Sequence, residues 1–127
     1  MRDKAWVIRR AGEVSGTPVD RARGTTIQVL LGPAEDVPNF VLRRFTLEPG
    51  GRIPTHLHDS IEHEQYVVEG ELVVSLGGEE QTLRAGDSLF IPAGTPHWYE
   101  NRKDVPARFL CVVPRTDRYR TEWLDPE

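Results

Sequence analysis

Two segments dominate the sequence: Gly50-Gly51-Arg52-Ile53-Pro54-Thr55-His56-Leu57-His58-Asp59-Ser60-Ile61-Glu62-His63 and Gly86-Asp87-Ser88-Leu89-Phe90-Ile91-Pro92-Ala93-Gly94-Thr95-Pro96-His97. Together they contain all 4 histidines of the chain. Because side chains alternate faces along a strand, His56 and His58 are expected on one face with their imidazoles close together. A turn between Pro92 and Pro96 sets the direction of the strand that starts at His97. The pattern predicts one metal site assembled from several strands.

Short apolar or alternating runs recur between turn-forming clusters along the chain. The runs cover residues 26–31, 40–47, 64–68, 71–76, 88–91, 97–100 and 107–113. Clusters rich in Gly and Pro separate them, for example at 48–51, 77–78 and 92–96. Many short strands at such intervals predict an all-β sandwich or barrel, and no long helical period is present.

The chain has the length of one domain, and we expect a barrel core at about 25–114, an N-terminal arm at 1–24 and a C-terminal tail at 115–127. Residues 6–8 are expected to form a further edge strand. Residues 117–124 are expected as a short helix or an irregular tail. In a helix Tyr119 and Trp123, four apart, share a face. We expect them to pack against the barrel wall or a second subunit rather than to form a substrate lid.

Charge and composition narrow the classes of partner. The net charge is -4 and the isoelectric point is near 5.6, so electrostatics do not favour nucleic acid or an anionic membrane. No apolar run approaches the roughly 20 residues of a membrane span, and the first residues lack the apolar core of a secretory signal. We expect a cytoplasmic protein that binds a small molecule. The single cysteine, Cys111, excludes an internal disulfide.

With these residues in place, the chain resembles the cupin superfamily, in particular its small single-domain members. Their first motif is a Gly, five residues, His-x-His, a few residues, Glu, six residues and Gly. Their second is a Gly, five residues, Pro-x-Gly, two residues, His, three residues and Asn. The matching positions are Gly50, His56, His58 and Gly70 in the first motif and Gly86, Pro92, Gly94, His97 and Asn101 in the second. The resemblance implies a jelly-roll β-barrel.

The chain departs from the first motif at its glutamate. With six residues between it and Gly70, the glutamate position of the motif is occupied by His63, which stands between Glu62 and Glu64. Strand alternation lets His63 or Glu64 face the interior, but not both, and register against Gly70 favours His63. This segment resembles the subgroup of small cupins with four histidines, often occupied by manganese. The expected metal ligands are His56, His58, His63 and His97, with Glu62 or Glu64 as the alternative carboxylate ligand.

The donor set limits the chemistry of the expected site. Neutral imidazoles suit manganese, iron, nickel, copper or zinc, and the resemblance favours one manganese ion per chain. Four ligands on an ion that prefers six leave two positions, for substrate with dioxygen or substrate with water. Without a bound carboxylate, the ion keeps its full positive charge and attracts an anionic or enolisable oxygen. The site also lacks the general base that a glutamate ligand can supply.

The residues that line the pocket are predicted from the alternation of side chains along each strand and from the resemblance. Val41, Phe45 and Leu47 form the more apolar set of their strand, which places Arg43 among the inward-facing residues. A buried arginine needs a partner, either a substrate carboxylate or enolate or a structural ion pair. Tyr99 shares the face of His97, and Arg43 and Tyr99 are the candidate catalytic residues. The predicted pocket lining is Arg43, Phe45, Gln65, Tyr99, Phe109 and Cys111, although Cys111 is more often an apolar core residue than a ligand.

Three functions are compatible with such a site. The leading hypothesis is a metal-dependent dioxygenase, of the quercetinase or acireductone type in broad class, acting on a small oxygen-rich or unsaturated substrate. The second is an isomerase or lyase in which the metal is a Lewis acid. The third is a barrel that binds or senses a small ligand without turnover. Because small barrels leave exposed sheet edges, we also expect a homodimer, with residues before Val29 as candidates for a strand added to the partner.

Overall fold

The structure is a computed structural model that describes residues 5–125; residues 1–4 of the predicted arm and 126–127 of the predicted tail lie outside it. Most of the described chain is β-strand. The strands are β1 (Thr17–Pro18), β2 (Arg23–Leu31), β3 (Phe40–Leu57), β4 (His63–Glu69), β5 (Glu71–Leu76), β6 (Glu79–Arg84), β7 (Ser88–Ile91), β8 (His97–Glu100), β9 (Ala107–Pro114) and β10 (Glu122–Trp123). Two short 3-10 helices occupy Ala11–Glu13 and Pro33–Glu35. The predicted all-β class is confirmed.

The strands form one antiparallel sheet that nearly closes into a barrel. Its main path runs β6-β5-β8-β3-β9-β4-β7, and β2 and β10 add to β3. The long strand β3 pairs with β2 and β9 through its first half and with β8 and β10 through its second. Because β3 belongs to both walls, the residues at its end lie against strands from both sides of the barrel. That end carries His56.

Inward-facing side chains fill the lower part of the barrel with an aromatic stack. Phe109 on β9 lies between Phe45 on β3 and Tyr99 on β8, with ring centroids 4.9 Å and 5.0 Å away. Leu47 and Val74 beside them are fully buried. Each such side chain contributes about 1.5–3 kcal/mol through its burial. This apolar layer lies directly beneath the histidines.

Two motif residues act in the fold rather than in chemistry. Gly70 has a φ of +79°, and a Cβ there would lie 2.4 Å from the carbonyl oxygen of Pro106. Only glycine fits that approach. Asn101, 1% exposed, donates from its side chain to the carbonyls of Leu47 and Val105 at 3.0 Å and 2.8 Å. It therefore ties the turn after β8 to β3.

Several boundaries differ from the sequence expectation. The expected turn at 48–51 is absorbed as a bend within β3, where Gly50 takes a φ of +80°. Strand β6 was not predicted because its side chains are almost all polar and exposed, so no alternation marks it. It is held by a full ladder to β5. Residues 6–8 are not a strand, so that expectation is wrong. Residues 117–124 form no helix and are irregular apart from β10, which agrees with the second of the two forms expected for them.

No helix among residues 5–125 is long and apolar enough to cross a membrane.

Candidate metal centre

Three histidines meet at one end of the barrel. His56 on β3 is directly opposite His97 on β8, and His58 follows β3 by one residue. One ring nitrogen from each of the three histidines lies within 4.8 Å of those of the other two. The three residues are only 1–6% exposed. Strand alternation places His56 and His58 on one face, and the turn at 92–96 brings His97 across to them. The structure therefore brings these three histidines together, as the sequence predicted.

Hydrogen bonds at Nδ1 fix which nitrogen of each imidazole is available. Nδ1 of His56, His97 and His58 lies 2.7, 2.8 and 3.0 Å from the carbonyl oxygens of Pro54, Thr95 and Arg120. Since a carbonyl only accepts, each Nδ1 carries the proton and each Nε2 keeps its lone pair. Nε2 of His97 is buried without a hydrogen-bond partner. Such oriented, unsatisfied nitrogens fit a transition-metal ion.

The imidazoles are held neutral, as ligands must be. Burial is the main cause, and it lowers the pKa of His58 to about 4, of His97 to about 3 and of His63 to about 2. Burial also lowers the pKa of His56. Charge on the neighbouring histidines and on Arg43 acts in the same direction on His58 and His63. At neutral pH every lone pair is therefore free to bind a cation.

His63 lies beside this group without joining its set of close nitrogens. Its ring centroid is 4.7 Å from that of His58 and 5.6 Å from that of His97. Its Nε2 is buried without a partner, while its Nδ1 lies 3.4 Å from Nε2 of Gln65. Glu62 and Glu64 are exposed, so the inner face of β4 presents His63 and not a carboxylate.

His56, His58 and His63 open onto a cavity of about 180 Å³. Of the predicted pocket residues, Arg43, Phe45, Gln65 and Tyr99 line it. Phe109 and Cys111 are fully buried behind that lining. The Cys111 sulfur accepts from Arg43 and Gln65 at 3.2 Å and 3.4 Å, so it serves the wall of the cavity as a weak acceptor.

The hydroxyl of Tyr99 is buried and bonded to the Gln65 side chain, at 2.7 Å from Nε2 and 3.1 Å from Oε1. Burial raises the pKa of Tyr99 far above its ordinary value, and Cys111 adds to the effect. The phenol therefore stays protonated through the physiological range. It can donate a hydrogen bond within the cavity but cannot act as a base there.

The C-terminal tail forms the roof of the cavity, although we expected its aromatic residues to pack against the barrel wall or a second subunit rather than to cover the site. Tyr119 lies with its ring 4.9 Å from His58, and Trp123 on β10 lies 4.9 Å from His56. Thr121 between them also faces the cavity, together with Pro18, Val19 and Asp20 from the arm. The roof is pinned by Asp125, which accepts from the Thr55 backbone at 2.9 Å. The two tail aromatics were the only signal in the sequence; strand pairing places Trp123 beside His56, whereas Tyr119 lies outside any strand.

The barrel and its buried neutral histidines define a small-molecule pocket that could hold a transition metal. The family model of the cupin domain matches residues 43–113, and the chain belongs to this family. The match includes His56, His58, His63 and His97 and leaves the tail outside. The family assignment made from the two motifs is thus confirmed.

Relatives of this chain come from several branches of the family. The tetracenomycin polyketide synthase protein TcmJ of Streptomyces glaucescens is 35% identical over 114 residues, which is 89% of this chain and 76% of that protein. The structure of the polyketide cyclase RemF from Streptomyces resistomycificus has a TM-score of 0.84 at 28% identity, covering 95% of this chain and 88% of that one. A cupin sugar phosphate isomerase from Silicibacter pomeroyi has a TM-score of 0.72 at 32% identity, covering 81% and 67%.

Proposed function

We propose that this protein is a metal-dependent enzyme acting on a small enolisable, oxygen-rich substrate of the polyketide type. The observation that carries the proposal is the orientation of Nε2 in His56, His58 and His97, each fixed by a carbonyl at Nδ1. When bound there, a divalent ion would act as a Lewis acid that stabilises negative charge on a substrate oxygen. Manganese is favoured by the resemblance, and iron, nickel, copper and zinc also suit imidazole donors.

His63 is proposed as the fourth ligand. Its Nε2 is buried and unsatisfied, and burial of a polar atom without a partner costs free energy. For Nε2 to bind a cation, Nδ1 must carry the proton and needs an acceptor. Turning the Gln65 amide by half a rotation would place Oε1 where Nε2 now lies, 3.4 Å from Nδ1, and would leave Nε2 beside the Tyr99 hydroxyl. A His63→Ala variant is expected to bind metal more weakly than wild type but to retain the three-histidine set.

The residues around the cavity suit Lewis-acid chemistry on an enolate. Arg43 supplies a fixed positive charge, and Tyr99 supplies a phenol that stays protonated. The rings of Tyr119 and Trp123 lie against His58 and His56. Relatives in polyketide synthesis, including a cyclase structure of similar fold, favour cyclisation or isomerisation of a substrate that carries several carbonyls.

A dioxygenase is the second candidate, favoured by the proposed set of four neutral imidazoles without a carboxylate. The two reactions differ in their need for oxygen. Turnover of a β-diketone or short polyketide mimic under argon would support the Lewis-acid reaction, whereas oxygen uptake that requires substrate would support the dioxygenase. His58→Ala should abolish either activity. Full metal loading with no turnover across a broad substrate panel would instead favour a ligand-binding protein.

We also propose a homodimer. Tyr66 and Val68 on β4 and Phe90 on the neighbouring strand β7 lie on the outer face of the sheet and are 47%, 40% and 56% exposed. An exposed apolar face of this kind commonly marks a subunit interface. Phe90→Glu is expected to shift the mass measured by light scattering from dimer to monomer. Val105→Glu, at an equally exposed apolar side chain outside that face, should leave the mass unchanged.

A further inference from the structure

Arg43 is a buried cation with no counter-ion in the part of the chain that the structure describes. Its side chain lies on the inner face of β3 and is 8% exposed. Among residues 5–125, no carboxylate lies within 4.0 Å of its guanidinium. Asp20, the carboxylate residue in the cavity lining, is itself exposed and makes no ion pair with Arg43. The structural ion pair that the sequence left open is therefore absent from the described chain.

The neighbours that Arg43 does have are neutral and weak. One terminal nitrogen donates to the Tyr119 hydroxyl at 2.9 Å, the other donates to the Cys111 sulfur at 3.2 Å, and Nε has no partner. The Phe45 and Tyr119 rings lie 5.2 Å and 5.4 Å from the guanidinium carbon. Burial opposes the charge, but Cys111 and Tyr119 outweigh it and raise the pKa of Arg43. The cation is held in place with unused capacity for an acceptor.

Arg43 is part of the wall of the cavity at the candidate metal centre. It lines the same cavity as His56, His58 and His63. The Tyr119 hydroxyl, which belongs to the tail, accepts its hydrogen bond at the cavity wall. An anionic oxygen could take the place of that hydroxyl and gain a charge-assisted bond, which is stronger than a bond to a neutral group. No other residue is needed to complete such a contact.

We propose that Arg43 is the binding residue for an anionic oxygen of the substrate, a carboxylate or an enolate. This proposal adds to the proposed function that the substrate is an anion. It rests on the proposed function only for the identity of the reaction. Arginine suits the role because it stays charged and its planar fork matches two oxygens. The tail then moves with substrate binding, since Tyr119 must release Arg43.

The test measures affinity in chelator-treated, metal-free protein by calorimetry. The probes are benzoate, the enolate of dimedone and neutral benzamide. Wild type is expected to bind at least one of the two anions about tenfold or more tightly than benzamide, the factor typical of a hydrogen bond to a charged group. Preference for benzoate would indicate a carboxylate site, and preference for dimedone an enolate site. Equal affinity for all three probes would overturn the proposal.

Arg43→Met is expected to abolish the preference, and Arg44→Met is the matched control. Arg44 is the next residue, faces outward and donates to Gln28 at 2.9 Å. Loss of preference in the Arg43 variant alone supports the proposal, whereas loss in both variants, or in neither, overturns it. Should Arg43→Met fail to fold, Arg43→Gln decides in the same way. Metal content and turnover play no part in this readout, so failure of the proposed function would be seen separately.

A purely structural role for Arg43 makes the opposite prediction for stability. Replacing a buried cation that lacks a counter-ion by an apolar side chain of similar length often leaves stability unchanged or raises it. Arg43→Met is therefore expected to unfold at the same urea concentration as wild type or at a higher one. A clearly lower midpoint with an unchanged preference for anions would show that Arg43 holds the fold and not a ligand.

Discussion

Acid should destabilise the metal-free protein well above the range in which carboxylates titrate. His58, His63 and His97 have folded-state pKa values of about 4, 2 and 3, below the ordinary value of 6.5. As the pH falls below 6.5, the unfolded chain therefore binds protons that the folded chain does not. Stability contributed by the neutral histidines is complete above 6.5 and is lost as the pH falls toward the folded values.

The size of the loss follows from these values. At about pH 5, which is roughly 1.5 units below the unfolded pKa, all three histidines are still mostly neutral in the fold. Each unit is worth about 1.4 kcal/mol, so each histidine costs about 2 kcal/mol at that pH. The three together remove roughly 4–6 kcal/mol, a large part of the 5–15 kcal/mol typical of a domain. Carboxylates contribute little there, because their unfolded pKa values lie near 4.

Urea denaturation of chelator-treated protein at about pH 7 and about pH 5, followed by far-UV circular dichroism, measures the loss. His63→Leu removes one buried titrating group without adding another. Its loss between the two pH values should be smaller than that of wild type by about 2 kcal/mol. If the free energy of unfolding of wild type changed by less than about 1 kcal/mol between the two pH values, the histidines would not be neutral and buried as described. Groups with lowered folded-state pKa values must lose stability over this range.

Three further substitutions test the fold around the site. Asn101→Ala removes both side-chain bonds to the Leu47 and Val105 carbonyls, so the free energy of unfolding should fall by about 2–4 kcal/mol in a urea titration. Gly70→Ala should destabilise more than Gly86→Ala, since both have positive φ but only Gly70 is crowded; equal losses would contradict this. Phe109→Ala should cost about 3–5 kcal/mol by opening the aromatic stack, and a loss below about 1 kcal/mol would show that the stack repacks.

The barrel and much of the site could be predicted from the sequence because both depend on local patterns. Strand alternation and turn residues locate most strands, and the boundaries of β5, β7 and β8 agree with the predicted runs. His56, His58 and His97 come together because their spacing is set by one strand and one turn. Register against Gly70 also placed His63 on the inner face, with Glu62 and Glu64 exposed.

The parts that were missed depend on contacts between distant segments. Strand β6 has almost no inward apolar side chain, so only its ladder with β5 identifies it. The tail reaches the cavity because β10 pairs with the end of β3, a contact across more than half of the chain. No local period predicts such pairing. The absence of an ion pair at Arg43 likewise follows from the whole cavity wall and not from its own strand.

The metal content of the protein decides whether His56, His58 and His97 form a metal site. Protein purified without added metal is analysed for transition elements, and chelator-treated protein is titrated with Mn²⁺ and Zn²⁺ beside a His97→Ala variant. We expect about one bound ion per wild-type chain and strongly weakened binding in the variant, because His97 supplies an oriented Nε2 that is otherwise unsatisfied. A wild-type protein that copurifies with no metal and binds neither ion tightly would contradict this expectation.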